Sequence, residues 1–248
     1  MEQARKAFLS PKPEFGPVPF WFWNDDLDKK ELTRQIDAFL EKGIHGFVIH
    51  PRKGLTEQYR YLSDGYMDAV EHAVREAAER QMTVFLYDEA MYPSGAAGGK
   101  VVQNNPEDAS KGLQMTELTG DEVPAFGAGN WFVSAVCRWD GQSKSFAKPE
   151  DAIAFRNSCG EGCQLFMFTM VYSGGVIRGV HEGEDEDEAN PPSSADLLDK
   201  AAVDSFIHIT HDAYYQRLKP WFGTTVKAMF TDEPSIMGRN PKKGLVGW

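Results

Sequence analysis

The 248-residue sequence contains little cysteine, which argues against a fold held together by disulfide bonds. Its three cysteines are an odd number and fit a reducing compartment better than a disulfide scaffold. Cys159 and Cys163 have the spacing of a metal clip, but two further ligands at a suitable spacing are absent. We therefore interpret this segment as a plain turn.

Long apolar runs and an excess of basic residues are also missing. No run reaches the roughly 18 apolar residues of a membrane helix. The first residues lack the apolar core of a signal peptide, so we expect a cytoplasmic protein. Lys and Arg number 26 against 37 Asp and Glu, for a formal charge of -11. That charge disfavours binding to nucleic acids and to anionic membranes.

The sequence does contain an alternation of apolar runs and amphipathic helices. Continuous apolar runs predict four strands, over residues 18–23, 45–50, 82–88 and 227–232. Three helices are predicted, which begin near Asp28, Asp64 and Ser193, and the third ends near Pro220. Because the apolar runs are continuous, we expect strands that are covered on both faces, in a parallel sheet.

A segment with a different pattern lies between the third and fourth predicted strands. Short β-like runs, such as 131–136 and 164–172, are separated by turn signals and predict a small β-rich insertion. An acidic run from Glu182 to Glu188 follows. We interpret it as a solvated loop, because the ordered spacing of an EF-hand calcium loop is absent.

The order of these elements predicts an α/β fold, a partial (β/α)8 TIM-type barrel of about four βα units. Residues 1–110 hold the first three units, residues 111–190 the insertion with its acidic loop, and residues 191–248 a helix and the fourth strand. A full barrel needs about 250 residues without large insertions. We therefore expect the remaining strands to come from the rest of a longer enzyme.

Polar residues follow each predicted strand, and reacting groups in such barrels lie at the carboxyl ends of strands. They are Asn24, then His50 and Arg52, then Asp88 and Glu89, then Asp232 and Glu233. Acids that converge on one pocket suit acid–base chemistry on a polar substrate. Structural roles are the alternative: His50 as a core histidine, Arg52 as the partner of an acid, and nearby Trp21 and Trp23 as core side chains.

Two further features have simple explanations. The glycine-rich loop 93–100 follows a strand, but Ser94 and Val101 break the Walker phosphate-binding pattern at two positions. We expect instead a small-residue loop that a ligand can approach closely. His208 and His211 have a metal-binding spacing, and we expect both on the outer surface of the barrel.

At its strand ends the sequence resembles glycoside hydrolase family 106, the α-L-rhamnosidases, and related barrel hydrolases. The matching segments occur in the expected order over residues 17–238; they are 19–24, 46–52, 86–89, 92–95 and 230–235. They are more specific to this broad group than to rhamnose as the sugar. The resemblance implies a large multidomain enzyme with a (β/α)8 catalytic domain and calcium-assisted hydrolysis with inversion.

The resemblance also implies roles for individual residues. Glu89 and Glu233 become the candidate acid and base, and which is which stays open. Trp21, Trp23 and Tyr92 are candidates for stacking on the sugar. The further candidates for substrate binding are Asn24, His50, Arg52, Asp88 and Asp232. The metal ligands are not identified.

Two other functions stay open alongside hydrolysis of a carbohydrate substrate. The first is a non-catalytic sugar-binding module, which would use the aromatic strand ends without chemistry. The second is a metal-dependent hydrolase of another bond, with the carboxylates and His50 as ligands.

Overall fold

A computed structural model of the chain describes residues 2–160, 162–178 and 190–247. The acidic run 182–188 lies outside these ranges, so its interpretation as a solvated loop stays a prediction. Within the described ranges, no helix combines the length and apolar character needed to cross a membrane. The chain is a mixed α/β structure that contains a parallel sheet and an antiparallel sheet.

The helices and strands of the described residues have the following bounds. The helices are α1 (Glu2–Leu9), α2 (Lys29–Glu41), α3 (Asp64–Glu79), α4 (Lys100–Asn104), α5 (Pro149–Cys159), α6 (Lys200–Ile209) and α7 (His211–Leu218). The strands are β1 (Phe20–Trp23), β2 (Gly46–Pro51), β3 (Thr83–Tyr87), β4 (Lys111–Glu117), β5 (Asn130–Trp139), β6 (Gln142–Phe146), β7 (Gln164–Tyr172), β8 (Val226–Phe230) and β9 (Leu245–Gly247). Single 3-10 turns occur at Pro13–Phe15, Glu57–Tyr59, Pro106–Asp108 and Lys219–Trp221.

The predicted parallel sheet of four strands is confirmed. Its strands lie in the order β1, β2, β3, β8, and every neighbouring pair is parallel. Helices α2 and α3 connect the first three strands, as parallel strands require. The predicted start of α2 is also confirmed, because the Asp28 side chain accepts hydrogen bonds from the N–H groups of Lys30 and Glu31.

Alternate side chains of this sheet pack against helices α2, α3 and α7. On the strands, the buried residues of this core are Trp21, Trp23, Phe47, Ile49, Val84, Leu86 and Val226. On the helices, apolar residues at spacings of three and four meet them, such as Leu32 and Ile36 in α2 and Val70 and Val74 in α3. Removal of this apolar layer from water is the main source of stability for the sheet.

The opposite face of the parallel sheet carries a second set of aromatic rings. The rings of Phe20 in β1 and Phe230 in β8 lie 5.0 Å apart, centre to centre. These are the two edge strands, which would be about 14 Å apart in a flat sheet of this spacing. The sheet is therefore strongly curved toward this face. The ladder of described strands remains open, since β1 and β8 do not pair with each other.

The predicted β-rich insertion forms the antiparallel sheet, whose order is β6, β5, β7, β4, β9. Helix α5, which the sequence pattern did not predict, packs Ala152 and Ile153 against Cys137 and Leu165 of the sheet. The edge strand β9 comes from the C-terminal part of the chain and pairs with β4. Residues 191–247 thus supply a strand to each sheet. Cys159 and Cys163 flank the segment before β7, and both thiols are free.

The single long helix predicted from Ser193 to Pro220 is wrong. Helix α6 begins at Lys200, after Asp199 accepts a hydrogen bond from the N–H of Ala201. The helix is interrupted at Thr210, whose hydroxyl donates to the carbonyl oxygen of Phe206 at 2.8 Å. Such a side-chain bond to the preceding turn bends helices, and α7 continues from His211.

We expect Leu86→Ala to destabilise the protein by about 3 kcal/mol, because it removes a fully buried side chain between the sheet and α3. Urea unfolding would measure the loss. Leu198→Ala is the matched control, since that leucine is 58% exposed, and we expect a change within about 0.5 kcal/mol. Equal losses in the two variants would contradict the placement of the core.

Candidate active site

The carboxylate of Asp88 links two strand ends. Asp88 follows β3 and is fully buried. Its oxygens accept hydrogen bonds from Ser94 Oγ at 2.7 Å and from Thr231 Oγ1 at 2.6 Å. The Ser94 hydroxyl also accepts a bond from the N–H of Asp232 at 2.9 Å. Burial raises the pKa of Asp88, and the bonds from Thr231 and Ser94 oppose that shift. Asp88 therefore joins the loop after β3 to the end of β8.

The carboxylate of Glu89 is enclosed by backbone N–H groups. Oε1 accepts from Ala90 N at 2.9 Å and from Gly98 N. Oε2 accepts from the three successive N–H groups of residues 95–97 at 3.3, 2.9 and 2.7 Å. Burial raises the pKa of Glu89 to about 7, while these N–H groups favour the ionised form. Glu89 is fully buried, so its carboxylate organises the loop and does not face an open surface.

The glycine-rich loop 93–100 owes its residue types to this arrangement. Gly95 and Gly99 adopt φ values of 128° and 86°, which favour glycine. A side chain at Gly99 would also place its Cβ 2.5 Å from Pro192. The small-residue loop expected from the sequence is present. Its N–H groups of residues 95–98, however, already bind the protein's own Glu89.

Asp232 and Glu233 follow β8 and diverge. Tyr87 Oη donates to Asp232 Oδ2 at 2.9 Å, and Asp232 is half-buried. Glu233 adopts φ of 40° and is exposed, and it accepts a hydrogen bond from Tyr92 Oη. This bond raises the pKa of Tyr92 above its usual value. Glu233 is thus a solvent-accessible carboxylate held in place by a neighbouring phenol.

His50 and Arg52 lie at the end of β2, and both are buried. The His50 ring stacks on Tyr87 with a centroid distance of 3.8 Å, and its Nδ1 lies 3.1 Å from the carbonyl oxygen of Pro51. The Arg52 guanidinium lies 4.4 Å from the centre of the Phe22 ring. Both residues are at the strand end, as expected, and their roles in binding hydroxyl groups stay predictions.

The structure places the two tryptophans away from this strand-end surface. Trp21 and Trp23 are only 5% and 2% exposed and pack edge-on against each other in the helix-side core. Trp21 also donates to Gln35 Oε1 at 2.6 Å. This placement argues against the stacking role that the resemblance implied and supports the alternative of core side chains. Asn24 is exposed and lies just after β1. Its carbonyl oxygen lies so close to Gly54 that a Cβ at that position would be only 2.3 Å away, so only glycine fits there.

Residues outside the predicted set complete the network. Ser94, Thr231 and Tyr87 each bind one of the predicted carboxylates. His211 is a further case, because its Nε2 lies 3.9 Å from Asp88 Oδ2. His208 lies on the outer surface as expected, with a side chain that is 77% exposed. His211 fits that expectation only in part, because its side chain is 31% exposed and lies against Asp88. The sequence did not point to the hydroxyl groups of Ser94, Thr231 and Tyr87 as partners of the acids, since these residue types are common in many settings.

Ser94 connects the carboxylate of Asp88 to the backbone N–H of Asp232. Tyr87 donates to the carboxylate of Asp232, and Tyr92 donates to that of Glu233. Glu89 lies apart from this network, within the loop. No group of three or more His, Cys, Asp or Glu side chains in the described ranges could hold a metal ion. The calcium implied by the resemblance therefore stays a prediction without assigned ligands. Chemically, the described site offers one accessible carboxylate beside a phenol and a half-buried second acid.

Comparison with known proteins adds little to this geometry. The chain is similar to a solved structure of a rhamnosidase from Novosphingobium sp. PP1Y, with a TM-score of 0.39 and 18% identity. The alignment covers 53% of this chain and 15% of that chain. A similarity of this size carries no argument about fold or function. No protein-family model and no curated protein sequence matches the chain.

We expect Glu89→Gln to lower the free energy of unfolding at pH 8 by about 3 kcal/mol. The amide would replace one acceptor oxygen with an NH2 group that faces buried N–H donors. Glu233→Gln is the matched control, because its carboxylate is exposed, and its stability should change by less than about 0.5 kcal/mol. Chemical unfolding of both variants measures the difference. A Glu89→Gln protein as stable as the unmodified one would contradict the loop-organising role.

Proposed function

We propose that this chain is part of a glycoside hydrolase of the α-L-rhamnosidase type, and that Glu233 is one of its two reacting carboxyl groups. The observation that carries the proposal is the position of Glu233 at the carboxyl end of a parallel strand. There it is exposed and fixed by Tyr92. A general acid or base must be both accessible and held in a defined orientation. Rhamnose as the sugar, inversion and calcium belong to the proposal through the sequence resemblance.

The second reacting carboxyl group is proposed to lie outside the described network. Inverting hydrolysis needs two carboxyl groups about 6.5–9.5 Å apart, with a water between one of them and the sugar. Glu89, the other candidate from the sequence, could serve only if the loop released both of its oxygens. We propose instead that Glu89 supports the loop that carries Tyr92. Asp232, which is half-buried, is proposed to bind a substrate hydroxyl group.

The finer fold in this proposal is half of a (β/α)8 barrel. Its support is the curved parallel sheet, whose concave face carries Phe20, Phe22 and Phe230 at 36–41% exposure. In the described residues, β1 and β8 each have one neighbour in this sheet. Unpaired strand edges and exposed apolar rings are normally covered. The remainder of the barrel is the proposed cover, and with it the source of the second carboxyl group.

A non-catalytic sugar-binding module is the second candidate. The observation that favours it is that only one of the two predicted catalytic glutamates is accessible in the described site. The two functions differ in turnover, because a binding module would hold the sugar without cleaving it. The third function considered from the sequence, a metal-dependent hydrolase, has no ligand group among the described residues to support it.

The decisive experiment is a screen of aryl glycosides, including an aryl α-L-rhamnoside, with the intact protein that contains this chain. We expect turnover of at least one glycoside, and we expect Glu233→Gln to lower kcat by about 10² to 10⁴-fold, the usual contribution of a general acid or base. Thermal unfolding would check that the variant remains folded.

Glu41→Gln is the matched control, since Glu41 is exposed at the last position of α2, the helix that leads into the amino end of β2 and not its carboxyl end. Its activity should equal that of the unmodified protein. Full activity of Glu233→Gln would remove Glu233 from the mechanism. Sugar binding by calorimetry without any turnover would favour the binding module over the hydrolase.

A further inference from the structure

A cavity of about 530 Å³ lies between the antiparallel sheet and the start of α6. This volume is within the range of roughly 300–1,000 Å³ that is common for small-molecule sites. Trp131 of β5 and Met170 of β7 line it from the sheet, and the segments 105–111 and 196–201 line its other sides. Among the described residues, it shares no lining residue with the strand-end network. We call it the insertion cavity.

The floor of the insertion cavity is apolar and carries an indole ring. Trp131 and Met170 are paired across the ladder of β5 and β7, so their side chains lie on the same face of the sheet. The rings of Trp131 and Tyr172 meet edge-on with their centres 5.3 Å apart, which fixes the orientation of the indole. Trp131 is half-buried, so part of its surface can be reached by a ligand. The floor therefore offers a flat apolar surface to one side of a ligand.

The polar side chains above this floor are held in place by one another and by the main chain. Lys111 Nζ donates to the carbonyl oxygen of Glu107 at 2.9 Å and to Asp196 Oδ2 at 3.0 Å. Asp108 Oδ1 accepts from Asn105 Nδ2 at 2.8 Å. The N–H of Asp196 donates to the carbonyl oxygen of Asp108 at 2.8 Å. Side chains that are ordered before a ligand arrives lower the entropic cost of binding.

The cavity is lined by charges of both signs. Its acids and bases are Glu107, Asp108, Asp196, Asp199, Lys111 and Lys200. A cationic ligand would meet the ammonium groups, and an anionic ligand would meet the more numerous carboxylates. A hydroxyl group both donates and accepts hydrogen bonds. An uncharged ligand with several hydroxyl groups could therefore use both kinds of side chain.

We propose that the insertion cavity binds a neutral saccharide, with one face of a sugar ring on Trp131 and its hydroxyl groups on the charged side chains of the rim. A sugar ring has an apolar C–H face that packs on aromatic rings, and hydroxyl groups around its edge. The cavity has the same division, with an aromatic floor below and fixed polar groups above. The inference rests on this lining and not on the proposed hydrolysis. It assigns the β-rich insertion a saccharide site that holds a sugar without cleaving it.

Fluorine NMR of the intact protein labelled with 5-fluorotryptophan would test this inference at the cavity itself. The Trp131 signal is identified by its loss in Trp131→Phe. The probes are the methyl glycosides of rhamnose, galactose and glucose, with putrescine as a cation and inorganic phosphate as an anion. We expect at least one glycoside to shift the Trp131 signal in a saturable titration, and neither ion to do so. Rhamnose is included because of the proposed function.

The double variant Glu107→Ala, Asp199→Asn should weaken that binding by at least about tenfold, because it removes two carboxylates from the rim. Asparagine at position 199 can still cap α6. The matched control is Glu57→Ala, Asp28→Asn. Glu57, like Glu107, is exposed in a 3-10 turn, and Asp28 caps α2 as Asp199 caps α6. The control should leave the affinity within about twofold.

Three results would overturn the inference: no glycoside shifts the Trp131 signal, an ion shifts it at a lower concentration than any glycoside, or both double variants lose affinity equally. These results are separate from those on the reaction. Sugar binding at Trp131 in a protein that turns over no glycoside would remove the proposed hydrolysis and leave the cavity assignment. Turnover that depends on Glu233 without sugar binding at Trp131 would do the reverse.

Discussion

The hydrogen bonds between the Glu89 carboxylate and the backbone of residues 95–98 are the contact on which the strand-end surface depends. They fix a loop of small residues that has few side chains of its own to pack. Once that loop is fixed, Ser94 reaches Asp88, and Tyr92 reaches Glu233. A buried carboxylate without partners would be costly, and here the main chain supplies the partners. The same hydrogen bonds therefore stabilise the buried carboxylate of Glu89 and fix the conformation of the loop.

The two Asp-Glu pairs look alike in the sequence but have different tasks in the structure. After β3, both acids are buried: Asp88 bonds to hydroxyl groups from two segments, and Glu89 to backbone N–H groups. After β8, Asp232 is half-buried and Glu233 is exposed. The buried pair holds the segments around it together, and the pair after β8 is the one that solvent can reach. Solvent access, which depends on the loop after each strand, separates the two pairs.

The parallel sheet could be predicted because each strand is a continuous apolar run between helices with clear stripes. The interruption at Thr210 could not, since it arises from one hydroxyl bond to Phe206 within an otherwise regular stripe. At the site, the sequence located the polar strand ends correctly. It predicted a small-residue loop after β3 but did not identify Glu89 as the group that this loop binds, because small residues show only that something approaches the backbone closely. For Trp21 and Trp23 the sequence left two roles open, because an aromatic ring can pack in a core or stack on a sugar. Their burial in the helix-side core favours the first role.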